Sequence, residues 1–129
     1  MATYQLGRGS APLVAGLLLC LLLPVSAAAK TYIVGDAAGW SRNVEAWWLG
    51  GKTFYAGDVL VFNYDKERHD VVMLGRRWYR RCQVPRHSTK SRVLRTGNDA
   101  VTLRRGYNYF ICGQPGHCNN NMKLAIKAW

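Results

Sequence analysis

Acidic residues are scarce in this 129-residue chain: 7 Asp and Glu face 18 Lys and Arg, a formal charge of +11. Histidine is scarcer, with 3 in all. No Asn-x-Ser/Thr sequon occurs, so N-glycosylation is not expected. Only one long apolar run exists, at 13–23. There are no internal repeats, no low-complexity linker and no strong amphipathic helix. These gaps exclude a multi-span membrane protein, a repeat array and a helical bundle. Nucleic acid is not an expected partner either, because no recognised binding motif accompanies the basic charge.

The apolar run sits where a secretory signal would. Arg8 gives a positive start, Pro24 follows the run, and Ala27-Ala28-Ala29 supplies small residues just before Lys30. A signal anchor is the alternative, but the run falls short of the roughly 20 apolar residues of a membrane span. Residues 1–29 are therefore read as a cleaved signal peptide and 30–129 as one domain. That domain keeps 17 basic and 7 acidic residues, a charge of +10 with histidine neutral. Arg76, Arg77, Arg80, Arg81 and Arg86 cluster, as do Arg104 and Arg105. Such a surface attracts acidic polysaccharide or acidic protein, unless it is only a solvated basic face.

Cysteine usage turns the reading towards metal. Cys20 leaves with the signal, and Cys82, Cys112 and Cys118 remain. An odd number in an oxidising compartment leaves one thiol needing a use. The segment YFICGQPGHCNNNMK holds Cys112, then His117, then Met122. Thiolate and thioether favour Cu(I), and imidazole suits both copper states. A second imidazole must come from elsewhere, and His69 in NYDKERHDVVML is the better placed. His87, in VPRHSTK, reads as a surface residue. Two other readings stay open on spacing alone. Cys112 and Cys118 could form a local disulfide, or Cys112, His117 and Cys118 could bind zinc, which gains little from Met122. If Cys112 holds a metal, the disulfide is Cys82–Cys118.

The domain reads as all-β. Strands are expected over 31–34, 59–64, 70–74, 92–95, 100–104, 107–112 and 123–129, punctuated by glycine-containing turns. Short helical turns are expected at 44–48 and 78–81. About seven or eight strands in 100 residues point to a Greek-key β-sandwich, with Trp40 and Trp48 packing it.

The segments YIVGDAAGW, GKTFYAGDVLVFNY, His69-Asp70-Val71-Val72 and YFICGQPGHCNNNMK together resemble the phytocyanins, plant blue-copper cupredoxins, and within them the plantacyanin or basic blue group. The resemblance spans 30–129. It implies a cupredoxin-like sandwich, one type 1 copper held by His69, Cys112, His117 and Met122, and a Cys82–Cys118 disulfide. Stellacyanin-like members carry Gln where Met122 stands, and copper-free early-nodulin-like relatives lack ligands. The residue after the first His is often Asn in cupredoxins; here it is Asp70. Its carboxylate is expected either to act on the ligand loop or to turn to solvent. The chain stops at Trp129, so neither a lipid anchor nor a membrane span is expected. The implied function is one-electron transfer by a secreted, apoplastic monomer that is not an enzyme, its redox partner unnamed. A cationic matrix or signalling protein with structural copper is the rival. A copper oxidase is disfavoured, because three histidines cannot build a multicopper cluster.

Overall fold

A computed structural model describes residues 28–86 and 91–129. The expected signal segment lies almost wholly outside the described residues, as does His87. Seven strands are described: β1 (Thr31–Ile33), β2 (Val59–Asn63), β3 (Val71–Leu74), β4 (Arg92–Leu94), β5 (Asn98–Thr102), β6 (Gly106–Ile111) and β7 (Lys123–Ala128). They form two sheets, ordered β1-β2-β5 and β4-β3-β6-β7. All pairings between strands are antiparallel except β1 with β2. Two short helices, α1 (Val44–Trp48) and α2 (Arg76–Arg81), join them.

Alternation explains the sandwich. Leu60 and Phe62 on β2 and Val101 on β5 are buried, while their neighbours are half-buried or exposed. Side chains on a strand point alternately to opposite faces, so these residues meet between the sheets. The contacts cross the gap: Phe62 packs on Phe110 of β6 at 5.0 Å between ring centroids, and Trp40 meets Phe62 edge-on at 5.2 Å. Phe62 and Phe110 have no exposed surface. Burying each contributes about 1.5–3 kcal/mol. Trp40 also donates its indole N–H to the Asp70 carbonyl at 3.0 Å, which pins the start of β3 to the core.

The outer face of the larger sheet has its own cluster. Val72, Leu74, Ile111 and Cys118 lie under Trp78 and Tyr79 of α2. The helix follows Gly75 and ends at Cys82, whose left-handed backbone returns its N–H to the Trp78 and Tyr79 carbonyls. Arg80 and Arg81 sit in the last turn, where positive charge complements the helix dipole.

Most strand ends fall within one residue of expectation, and β5 and α2 differ by two. β5 begins at Asn98, not at 100, because Gly97 alone makes the turn at φ +84° and Asn98 already pairs with Asn63. α2 begins two residues earlier than 78, since Arg76 and Arg77 carry no apolar periodicity to mark them.

Candidate metal centre

Four side chains converge at one end of the sandwich. His69 closes the loop before β3. Asp65 organises that loop: its carbonyl accepts from the Arg68 and His69 N–H groups at 3.0 and 2.9 Å, and its carboxylate accepts from the Glu67 N–H at 3.0 Å. Asp is suited to this, since its side chain bonds backbone two residues on. Cys112 directly follows β6, and Met122 directly precedes β7. Cys112 N–H donates to the Met122 carbonyl at 3.0 Å, and Met122 N–H to the His117 carbonyl at 3.0 Å. The loop 112–122 is thus a closed connection between neighbouring strands, with Ile111 paired to Lys123 at its base.

The donor geometry fits one ion. His69 Nδ1 and His117 Nδ1 lie 3.1 Å apart; Cys112 Sγ is 3.3 Å from His117 Nδ1 and 3.8 Å from His69 Nδ1. Two donors on one metal lie no farther apart than the sum of their bond lengths, about 4.1 Å for two nitrogens and about 4.4 Å for nitrogen and sulfur. All three separations fall inside those bounds. Met122 is fully buried, and it lines, with both histidines, a cup of about 390 Å³. Cys112 is also fully buried, while the imidazoles are half-buried. The ring edges are therefore the donors' contact with solvent.

Electrostatics suit the donors for metal. Burial, then His117, then Arg68 push His69 below its ordinary value, which favours the neutral imidazole that a metal requires. Burial pushes the Cys112 thiol up, and the backbone N–H groups of Asp70 and Gln114 act against that by hydrogen bonding to sulfur. Metal binding must displace the thiol proton.

Both spacing-based alternatives lose their residue. Cys118 is bonded to Cys82, with sulfurs 2.00 Å apart, and Cys112 is the free cysteine among the described residues. Cys118 faces the outer cluster, so it can neither pair with Cys112 nor join His117 on zinc.

Asp70 does not turn to solvent. It is buried, and its carboxylate accepts from the Gly113 N–H at 2.6 Å and the Gln114 side-chain amide at 3.0 Å. Gly113 is needed there: a Cβ would stand 2.9 Å from Val72 Cγ2 and 3.2 Å from Asp70 Oδ1. Several neighbours had no sequence signal. Ser41, Arg42, Arg68 and Asn120 also line the cup. They come from three separate loops, so no spacing rule joins them.

A two-sheet sandwich with two imidazoles and a thiolate converging at one end, over a buried methionine, defines a cupredoxin-type mononuclear metal site. Comparison with known proteins makes this specific. The family described as plastocyanin-like domain matches residues 40–122. Chemocyanin of Lilium longiflorum is 44% identical over 126 residues, 95% of this chain and 97% of that one. The solved structure of cucumber basic protein, a blue copper protein, superposes with a TM-score of 0.71 at 40% identity, covering 78% of this chain and all of that one. Spinach plantacyanin superposes with a TM-score of 0.67 at 46% identity, again over 78% of this chain and all of the other. The chain belongs to the plastocyanin-like family, among its phytocyanins.

Proposed function

We propose that this protein is a secreted one-electron carrier with a single type 1 copper held by His69, Cys112, His117 and Met122. The observation that carries the reading is the mutual approach of the three donor atoms over a fully buried methionine. Copper there would supply a Cu(I)/Cu(II) couple, held by the imidazoles of His69 and His117, the Cys112 thiolate and the Met122 thioether. The chain does the rest. The backbone bonds between Cys112, His117 and Met122 hold three donors at fixed separations, and the Trp40–Asp70 bond fixes the strand that follows His69. A site held this firmly suits both oxidation states without rearrangement. The N–H groups of Asp70 and Gln114 draw charge from the Cys112 sulfur. Burial of Cys112 and Met122 excludes water, and the imidazole edges provide the route for an electron. Four protein ligands leave no position for a substrate, so the reading is of a carrier and not an enzyme. Export with loss of residues 1–29 supports the oxidising compartment that the Cys82–Cys118 bond needs.

The test is spectroscopic. Copper-loaded 30–129 is expected to show an intense blue sulfur-to-copper band and a type 1 EPR signal, both lost on reduction and absent in Cys112→Ser. A colourless protein at full Cu(II) occupancy overturns the assignment.

One observation favours a second role. Arg76, Arg77, Arg80 and Arg81 line a shared groove on α2. A cationic wall-bound or signalling protein would use such a face for acidic polysaccharide. Screening shortens from about 10 Å at 0.1 M salt to about 3 Å at 1 M, so wall extraction in high salt is expected to release the protein. Equal release by water refutes electrostatic retention.

A further inference from the structure

The cup over the candidate donors has a charge pattern that the copper reading does not require. Its charged lining residues other than the histidines are Arg42 and Arg68, and no Asp or Glu lines it. Both arginines are exposed, and among the described residues neither guanidinium is paired with a carboxylate. Asp65 and Asp70 lie close enough to be felt electrostatically at His69, but neither lines the cup. Asp65 holds its own loop through the Glu67 N–H, and Asp70 is buried with both oxygens occupied. The two arginines come from separate loops, and each loop is anchored. Trp40 N–H donates to the Asn63 carbonyl and Asn43 N–H to the Asn121 carbonyl, both at 2.9 Å, which brackets Arg42. The Asp65 turn brackets Arg68. Each guanidinium offers five donors, so an oxyanion in the cup that both line has donors from two loops. The half-buried His69 and His117 line the same cup, while Cys112 and Met122 are fully buried. The cup, about 390 Å³, is of the size that holds small ligands.

We propose that Arg42 and Arg68 make this mouth an anion-docking site, and that the protein's redox partner is a small, multiply charged oxyanion held there beside the two imidazoles. The inference rests on the copper reading for the word redox; the anion site itself does not. It is also distinct from general attraction by a chain of charge +11. Net charge raises the rate of encounter everywhere on the surface. The claim here is local: two arginines at the mouth matter more than the four on α2, which line a separate groove.

The test uses the substitution-inert paramagnetic anion hexacyanochromate(III), titrated into copper(I)-loaded 30–129 and followed by amide NMR. Broadening is expected first at Ser41, Arg42, Arg68 and Asn120. Arg42→Ala combined with Arg68→Ala is expected to weaken binding at the mouth at least about fivefold at low salt, as loss of two nearby charges implies. Arg76→Ala combined with Arg80→Ala, on the other groove, is expected to leave the mouth within about twofold. All four side chains are exposed, so neither pair of substitutions removes core packing. Broadening centred on α2, or an unchanged mouth in the first double variant, overturns the proposal. A mouth silent to the small anion but protected by polyglutamate overturns it in favour of an acidic protein partner. The same titration on metal-free protein separates the two readings. Binding at the mouth by a protein that stays colourless when fully loaded with Cu(II) refutes the copper assignment alone, and a silent mouth on a protein that turns blue with Cu(II) refutes the anion site alone.

Discussion

Asp70→Asn is the most informative single substitution. The carboxylate lies beneath the ligand loop and accepts from Gly113 N–H and the Gln114 amide. Two acceptor oxygens, each occupied by a donor, is the pattern of an ionised carboxylate. Asn offers one acceptor and one donor. Its oxygen can keep the Gly113 bond, and its NH₂ can face Gln114 if that amide turns its oxygen inward. The hydrogen bonds are thus replaceable and the charge is not, so the substitution isolates the charge. At a separation of roughly 7 Å and an effective dielectric of roughly 20, one charge shifts a one-electron equilibrium by about 2.4 kcal/mol. With about 59 mV for each factor of ten, that is about 100 mV, and stronger screening brings it to some tens of millivolts. The negative charge favours Cu(II), so the parent has the lower potential and the variant the higher. A side-chain donor to sulfur is not part of this account, because the sulfur's donors are the backbone N–H groups of Asp70 and Gln114. Protein-film voltammetry of both proteins at one pH and salt, with the blue band as a check on the ligands, decides it. An unchanged or lower potential in a variant that is still blue refutes the reasoning.

Other outcomes are equally specific. Gly113→Ala is expected to destabilise by about 1–3 kcal/mol through overpacking against Val72 and Asp70 and to change the blue band, as read by thermal unfolding and visible spectra. Replacing Cys82 and Cys118 together by Ala removes a link spanning 36 residues, with an expected loss of about 4 kcal/mol in urea denaturation, while peptide mapping of the parent finds Cys112 unpaired. Tyr64 is pushed up to about 12 by burial and by its hydrogen bond to Asp99. The folded state favours the neutral phenol, so this contribution is intact below pH 10 and is lost as pH rises towards 12. Tyr64→Phe is expected to flatten that alkaline loss, and an identical pH profile rules the group out.

The sandwich was readable because its strands alternate, as in the buried Leu60 and Phe62 between half-buried neighbours. The candidate donors were readable because Cys112, His117 and Met122 crowd into one strand-to-strand connection. Asp70 was not: sequence could not choose between solvent and the ligand loop, since its partners, Gly113 and Gln114, lie 43 and 44 residues away. Arg42 and Arg68 were invisible as a pair for the same reason. Only folding brings the two loops to one cup. The β5 boundary was missed because Gly97-Asn98 reads as turn chemistry, whereas Asn98 turns its backbone to Asn63 and extends the ladder.

The two faces of the larger sheet also bear on biogenesis. Cys112 and Cys118 are six residues apart in the chain, yet folding files one among the inner residues and the other among the outer. The sheet acts as a sorting wall for thiols. Once it has closed, Cys118 can reach Cys82 alone, and the remaining thiol is kept for metal. Before it closes, Cys82, Cys112 and Cys118 compete, and the nearest pair of these in sequence is the wrong one. In an oxidising compartment, maturation would therefore depend on the sandwich assembling ahead of oxidation, or on an isomerase undoing a Cys112–Cys118 error.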